Sequence, residues 1–301
     1  MSYRTKNEKG LNVTKHLLKK GITFLGLEVN RKNRIDAVRK KIMTLENESS
    51  TSNLAVQQLQ HEVDYLNGKL TEQTEKYLST NREIFDLMDM ALAASNCREI
   101  SRAQLKQDIF VLLKKKFKKG GFFVEFGATN GLDLSNTFLL EKSFGWNGIL
   151  AEPAPMWHEA LKKNRDVSLD FDCVWRETGE ILEFNMANEG ELSTLNSFSD
   201  CDHHSETRKS GQIIQVKTVS LNDLLERHNA PRNIDYLSID TEGSEYEILK
   251  HFDFSKYNID IITCEHNFTK MGDDVFSLLS KHGYKRVFEG SSEWDHWYVK
   301  D

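Results

Sequence analysis

Gly120-Gly121-Phe122-Phe123-Val124-Glu125-Phe126-Gly127-Ala128-Thr129-Asn130-Gly131 is the stretch whose reading decides the fold of this chain. It contains a short apolar run, far shorter than a membrane span and of the length of a buried parallel strand. The run ends in an acid and then in two glycines four residues apart, and residues 134–144 read as a helix. Strand, glycine turn and helix is how an α/β domain builds a ligand site at the carboxyl end of a strand.

Downstream, strands and helices alternate. Strands are expected at 147–152, 167–174, 180–186, 212–219, 234–240 and 259–265, and helices at 155–164 and 273–282. Two capping boxes, Ser220-Leu221-Asn222-Asp223 and Ser244-Glu245-Tyr246-Glu247, open two more helices. Residues 187–211 form a polar connection without a clear period. Residues 284–288 and 294–299 read as an antiparallel pair. The pattern predicts an α/β domain over 120–301: a mostly parallel sheet with an antiparallel edge and helices on both faces.

Upstream, the chain reads as helix. From Ile35 the a positions of a heptad run to Ala91 and the d positions from Val38 to Ala94, without a slip and without proline. Such a seam predicts a coiled coil over 35–94, ~90 Å long if continuous. Its narrow apolar stripe calls for partner helices, hence a homo-oligomer. The polar block Glu48–Asn53 is its weak point. Residues 95–119 read as a connecting helix with Ile100, Leu105, Ile109, Leu112, Leu113 and Phe117 on its apolar face.

Charge is uneven. Residues 1–41 hold twelve Lys/Arg against three acids, a net +9, which leaves −15 for 42–301 out of a total of −6. An acidic globular part argues against a nucleic-acid substrate. The basic segment 1–34 leaves only weak membrane contact open, with a solvated end as the plainer reading. The four cysteines have neither zinc-ligand nor redox-motif spacing, the start of the sequence lacks an apolar leader, and no run spans a membrane. Together these predict a cytoplasmic protein with free thiols.

Four carboxylates, Glu125, Glu152, Asp240 and Glu265, fall at the carboxyl ends of predicted parallel strands. A pyrophosphate-binding turn needs G-x-G-x-x-G, but residue 129 is Thr and Glu125 would repel phosphate. An acid beside the turn suits a cationic, phosphate-free cofactor such as S-adenosylmethionine. Glu152 is placed to accept hydrogen bonds from two ribose hydroxyls, with Asp172, Cys173 and Val174 flanking the adenine.

The blocks 125–131, 135–137, 140–142, 145–153, 235–245 and Cys264-Glu265-His266-Asn267 together resemble the FkbM-type methyltransferases. The resemblance covers about 120–301 and not the coiled coil. It implies a Rossmann-like, class I fold and S-adenosylmethionine-dependent methylation of oxygen on sugars or polyketide-like natural products. The match implies that Glu125, Gly127, Asn130, Gly131, Ser135, Asn136, Thr137 and Glu152 line the cofactor, and Phe126, Ala128, Pro153, Asp172 and Cys173 are expected beside them. Asp240 and Glu242 sit where cofactor and acceptor meet. Residues 189–211, with Asp200-Cys201-Asp202-His203-His204, would cover the acceptor, and their spacing is too tight for zinc.

Methyl transfer is an in-line displacement in which the protein aligns the reactants. His266 and Asp240 are the candidate bases for a sugar hydroxyl, histidine being favoured by its near-neutral titration. Alternatively Asp240, Glu265 and Asn267 hold a divalent cation, with Mg²⁺ suited to their oxygens. The expected partners are a small-molecule or glycan acceptor, a surface-polysaccharide sugar first among them, and further copies of the chain. Two other classes stand beside this reading. A nucleotide-cofactor (NAD-type) oxidoreductase lacks its middle glycine, and a coiled-coil scaffold with an inactive domain has no reason to keep all four acids.

Overall fold

Alternate side chains of the first strand, β1 (Phe122–Phe126), enter two different cores, and this places helices on both sides of the sheet. The computed structural model describes residues 32–44, 53–290 and 292–300. The basic segment up to residue 31 and the polar block around 45–52 lie outside the described residues. The chain divides into two units, Met1–Asp89 and Met90–Asp301.

In the first unit, helix α1 (residues 32–44) and the start of helix α2 (Asn53–Cys97) pack against each other. Ile35, Ile42 and Val63 are buried, with Val38, Leu59, Leu66 and Leu70 around them. Arg34 lies 3.9 Å from Glu62. These are heptad a and d residues, so this part of the seam is covered by its own chain as a helical hairpin rather than by a partner alone. No helix among the described residues is long and apolar enough to cross a membrane.

The second unit holds β1, β2 (Asn147–Ala151), β3 (Ser168–Asp170), β4 (Cys173–Trp175), β5 (Ile181–Met186), β6 (Thr194–Leu195), β7 (Gln212–Ser220), β8 (Asn233–Ile239), β9 (Asn258–Glu265), β10 (Tyr284–Val287) and β11 (Asp295–Lys300). The main sheet has the order β10-β11-β9-β8-β1-β2-β3. Strands β9, β8, β1, β2 and β3 are parallel, while β11 runs antiparallel to β9 and β10. Phe123, Leu150, Tyr236 and Ile261 pack with helices α3 (Gln107–Lys114), α4 (Phe138–Phe144) and α5 (Pro155–Asn164). Val124, Ile149, Leu237 and Ile262 pack with α7 (Leu221–Arg227), α8 (Glu245–Lys250) and α9 (Met271–Lys281). A second sheet, β4-β7-β5-β6, carries its own core of Trp175, Phe184, Leu195 and Val216.

Several expectations are corrected. Residues 95–119 are not one helix: α2 stops at Cys97 and α3 begins only at Gln107. Between them Asp108 takes the Ser101 hydroxyl at 2.8 Å, Gln107 takes the Leu105 N–H at 3.0 Å, and Lys106 adopts φ 65°. These side chains satisfy the backbone outside a helix. The strand expected at 167–174 splits at Asp172, whose N–H bonds the Asp170 carboxylate, and its second half joins the other sheet. The helix expected from 134 starts at Phe138. Residues 187–211 contain β6, two 3₁₀ turns (Gly190–Leu192, Asn196–Phe198) and the short helix α6 (Ser205–Arg208). The Ser220 cap forms, with the Asp223 N–H donating to it at 3.1 Å. The Ser244 box does not. There the buried Glu245 carboxylate accepts the Thr241 and Gly243 N–H groups, and Ser244 donates to Thr241.

The late start of α4 has a direct cause. Glu125, buried on β1, accepts the Asn136 N–H at 2.7 Å and the hydroxyls of Ser135 and Thr137. Arg165, fully buried at the end of α5, binds the Ser135 and Thr137 hydroxyls and the Gly131 carbonyl, and pairs with Glu141. Residues 135–137 are thus tied to a carboxylate and cannot turn as helix. Replacing Arg165 with Met should cost ~3–5 kcal/mol, because two buried carboxylates lose their cation. A urea-denaturation midpoint followed on the second unit's tryptophans checks this.

Candidate active site

The glycine turn exists because two strand ends touch. Gly127 has φ 70°, and a Cβ there would fall 1.9 Å from the Asp240 carbonyl oxygen at the end of β8. Only glycine allows this approach. Asp240 is thereby brought beside Phe126, Gly127 and Thr129, and lines two adjoining hollows at the carboxyl edge of the sheet.

The narrower hollow, about 40 Å³, is lined by Phe126, Gly127, Thr129, Glu152, Cys173 and Asp240, among others. Glu152 takes the Thr129 N–H on one oxygen and the Ala154 N–H on the other, both at 2.8 Å. Each carboxylate oxygen has a second lone pair. Burial pushes Glu152 up to about 7 against the pull of those two N–H groups. Pro153 also lines this hollow. Burial pushes the Cys173 thiol up to about 12, so it is a wall and not a nucleophile.

The wider hollow, about 290 Å³, has an acidic floor of Asp240, Glu242 and Glu265. One oxygen from each lies within 4.8 Å of the others. All three carboxyls are pushed above their usual range, first by burial. The next cause is the charge of Asp295 for Asp240, and that of Asp240 for Glu242 and Glu265. Glu242 is held at φ 59° and accepts Arg208 at 2.7 Å and the Asn267 amide at 3.1 Å. The Asn267 amide nitrogen therefore serves Glu242, which joins Asp240 and Glu265 as the third acid of the cluster.

Other sequence candidates fall elsewhere. The Glu125 carboxylate is taken by residues 135–137, although it edges the wider hollow with Ser135 and Asn136. Thr137 is buried beneath it, and Ala128 packs with Leu139 and Leu150. Asn130 caps the turn by accepting the Leu132 and Asp133 N–H groups, and Gly131 lies against Leu161 and Arg165. Asp172 pairs with Arg227 at 2.9 Å and is absent from both linings.

His266 is the main correction. It lines a neighbouring hollow with Cys201, Thr269 and Met271, and not the one that Asp240 lines. Its Nδ1 accepts the Phe268 N–H at 3.0 Å, its Nε2 is buried without a partner, and its ring lies 4.0 Å from that of His296. Burial, then Arg286, holds it below the usual histidine range. A histidine so sealed is not placed to take an acceptor's proton.

The segment 189–211, expected as a cover, borders the wider hollow. His203 and His204 line the wider hollow with Glu191 and Leu192. The cover is fastened by Arg208, fully buried, which binds Asp202 at 2.7 and 3.1 Å, the Leu192 carbonyl at 2.7 Å, and Glu242. Nothing in the local sequence marks Arg208, since its partners lie up to 34 residues away. Trp294 and Phe268 complete the wall from the far side.

Known proteins were compared at three levels. The family model of the methyltransferase FkbM domain matches residues 125–286. No curated protein matches the sequence. Among solved structures, precorrin-6y C5,15-methyltransferase from Geobacter metallireducens GS-15 is 13% identical, with 64% of this chain and 85% of that chain covered and a TM-score of 0.35. A fibrillarin/Nop5p complex is 10% identical over 60% and 72%, at 0.30. A mutant of MtNAS in complex with S-adenosylmethionine is 11% identical over 89% and 98%, at 0.30. At such scores these likenesses carry no argument, and the assignment rests on the family match. That match takes in more than half of the chain and begins at Glu125, the acid that shapes the turn: the chain belongs to the methyltransferase FkbM family.

Proposed function

We propose that the chain is an S-adenosylmethionine-dependent O-methyltransferase acting on a sugar hydroxyl of a surface glycan or a related natural product. The observation that carries this reading is Asp240 on the wall common to the two hollows. The narrow hollow suits the nucleoside end of the cofactor, with apolar walls from Phe126 and Val174 and two acceptor oxygens on Glu152 for ribose hydroxyls. Among the described residues neither hollow is lined by Lys or Arg. That disfavours the pyrophosphate of a nicotinamide dinucleotide and suits a phosphate-free, cationic cofactor.

The wide hollow suits a hydroxylated acceptor. Its lining combines carboxylates, Asn136 and Asn267 with the aromatic faces of Trp294 and Phe268. A bound cofactor would supply a sulfonium methyl to the acceptor oxygen and leave as S-adenosylhomocysteine, and the Asp240 carboxylate, which lines the same hollow, would take the hydroxyl proton. The cofactor supplies the reactivity, and the chain aligns both partners about Asp240 and excludes water.

S-adenosylhomocysteine should bind the full chain in calorimetry, and Glu152→Ala should weaken it at least ~10-fold; NAD binding in its place would overturn the reading. Transfer of labelled methyl in a screen of glycan acceptors tests the acceptor class. The pH dependence of binding has a definite sign. A raised carboxyl contributes stability below its unfolded value that is lost as pH rises through about 7. Ribose donors favour the ionised form, so S-adenosylhomocysteine affinity should rise from pH 6 to 8, and this rise should flatten in Glu152→Gln. The hollow beside Glu152, about 40 Å³, is below the ~300 Å³ of typical ligand pockets. Residues 190–195 border it, so hydrogen exchange there should change on cofactor binding. Finally, the remaining heptad positions are read as joining copies of the chain, and light scattering of the full chain should give at least dimer mass.

A further inference from the structure

The acidic floor of the wider hollow has more negative charge than its neighbours neutralise. Of Asp202, Asp240, Glu242 and Glu265, only Asp202 and Glu242 take part in ion pairs among the described residues, and both with one guanidinium, that of Arg208. Arg208 is already divided between Asp202 and Glu242. Asp240 and Glu265 contact each other, carboxyl to carboxyl. The Glu265 Oε2 atom is buried and has no hydrogen-bond partner, although the residue is only 8% exposed and lines the hollow. A buried carboxylate oxygen without a donor is costly unless a proton or a cation meets it.

Geometry selects between these. A shared proton needs only two oxygens in line, yet here three carboxylates converge, with one oxygen of each within 4.8 Å of the others. Two oxygens on one cation stand at most two metal–oxygen bonds apart, which is ~5 Å for calcium and ~4 Å for magnesium. The observed spread fits an ion of calcium size as it stands and admits magnesium after a small closure. All the donors are oxygens. The nearby His266 Nδ1 is occupied by the Phe268 N–H, so a zinc-like nitrogen set is not formed.

We infer that Asp240, Glu242 and Glu265 form a binding site for one hard divalent cation, open on the side of the wider hollow. Arg208 then has a second use. It binds Glu242, whose backbone is left-handed, and so fixes the third ligand, and the Asn267 amide bonds the same oxygen. When bound, such an ion supplies Lewis acidity to an acceptor hydroxyl that reaches it. Only that last use rests on the methyl-transfer reading.

The test is metal binding by the full chain, stripped with chelator and free of cofactor. Titration with Mn²⁺ followed by electron paramagnetic resonance should show one saturable site, displaced by Ca²⁺ or Mg²⁺. Glu265→Gln and Asp240→Asn should each weaken it at least tenfold. Thermal melts separate binding from folding. In chelator Glu265→Gln should melt no lower than the parent chain, since a repulsion is removed; Mn²⁺ should raise the melting temperature of the parent and not of the variant. Absence of a saturable site up to millimolar Mn²⁺, or equal affinity in both variants, overturns the site. S-adenosylhomocysteine binding is measured separately, so loss of the metal site and loss of the methyltransferase reading give different results.

Discussion

A buried carboxylate at the end of the central strand is the constraint around which the catalytic edge is built. Glu125 cannot stay in the sheet without donors, and it draws them from residues 135–137. That fixes the path of the chain after the glycine turn and delays α4 by four residues. Arg165 then closes the arrangement from beneath, reaching the same hydroxyls, the Gly131 carbonyl and Glu141. The carboxylate and guanidinium bonds under the turn hold its path, with Gly127 against the end of β8.

Two buried arginines divide the electrostatic work. Arg165 neutralises the scaffold side, and Arg208 the cover side. Both are fully buried and both reach two carboxylates, Arg165 at longer range for Glu125. The difference lies in what each leaves over. Around Arg165 each acid is satisfied by hydrogen bonds. Around Arg208 acids outnumber cations, and the excess faces the hollow where cofactor and acceptor are proposed to meet. Negative charge concentrated at a partly closed cavity favours cationic ligands over phosphates.

Much of this was legible in the linear sequence. Strand-end acids stand out because parallel strands read as apolar runs and an acid ends them. The mostly parallel sheet with its antiparallel edge follows from alternating strand and helix with a late antiparallel pair. Other features were not legible, for identifiable reasons. Asp172 sits next to a strand as a cofactor acid would, but Arg227 from α7 claims it. His266 has the right chemistry and the wrong orientation, because a backbone N–H two residues on takes its Nδ1. The helix expected over 95–119 fails because Asp108 and Gln107 bond to their neighbours' backbone and hydroxyl groups, a choice that apolar periodicity does not register. The cover expected over 189–211 is fastened by one arginine with distant partners, which the segment itself does not reveal.

By itself the sequence determined the class of the fold, the family, the edge of the sheet that carries the site, and a turn unsuited to pyrophosphate. These depend on periodicity, glycine placement and local charge, all of which are properties of neighbouring residues. Only the tertiary structure decided which acids converge, that Glu242 joins Asp240 and Glu265, that Glu125 is an anchor, and that His266 turns away. Those outcomes rest on partners 25 to 34 residues distant for Glu242, and on competition for a fixed number of donors inside a closed space. A chain read one segment at a time does not contain that competition; packing creates it.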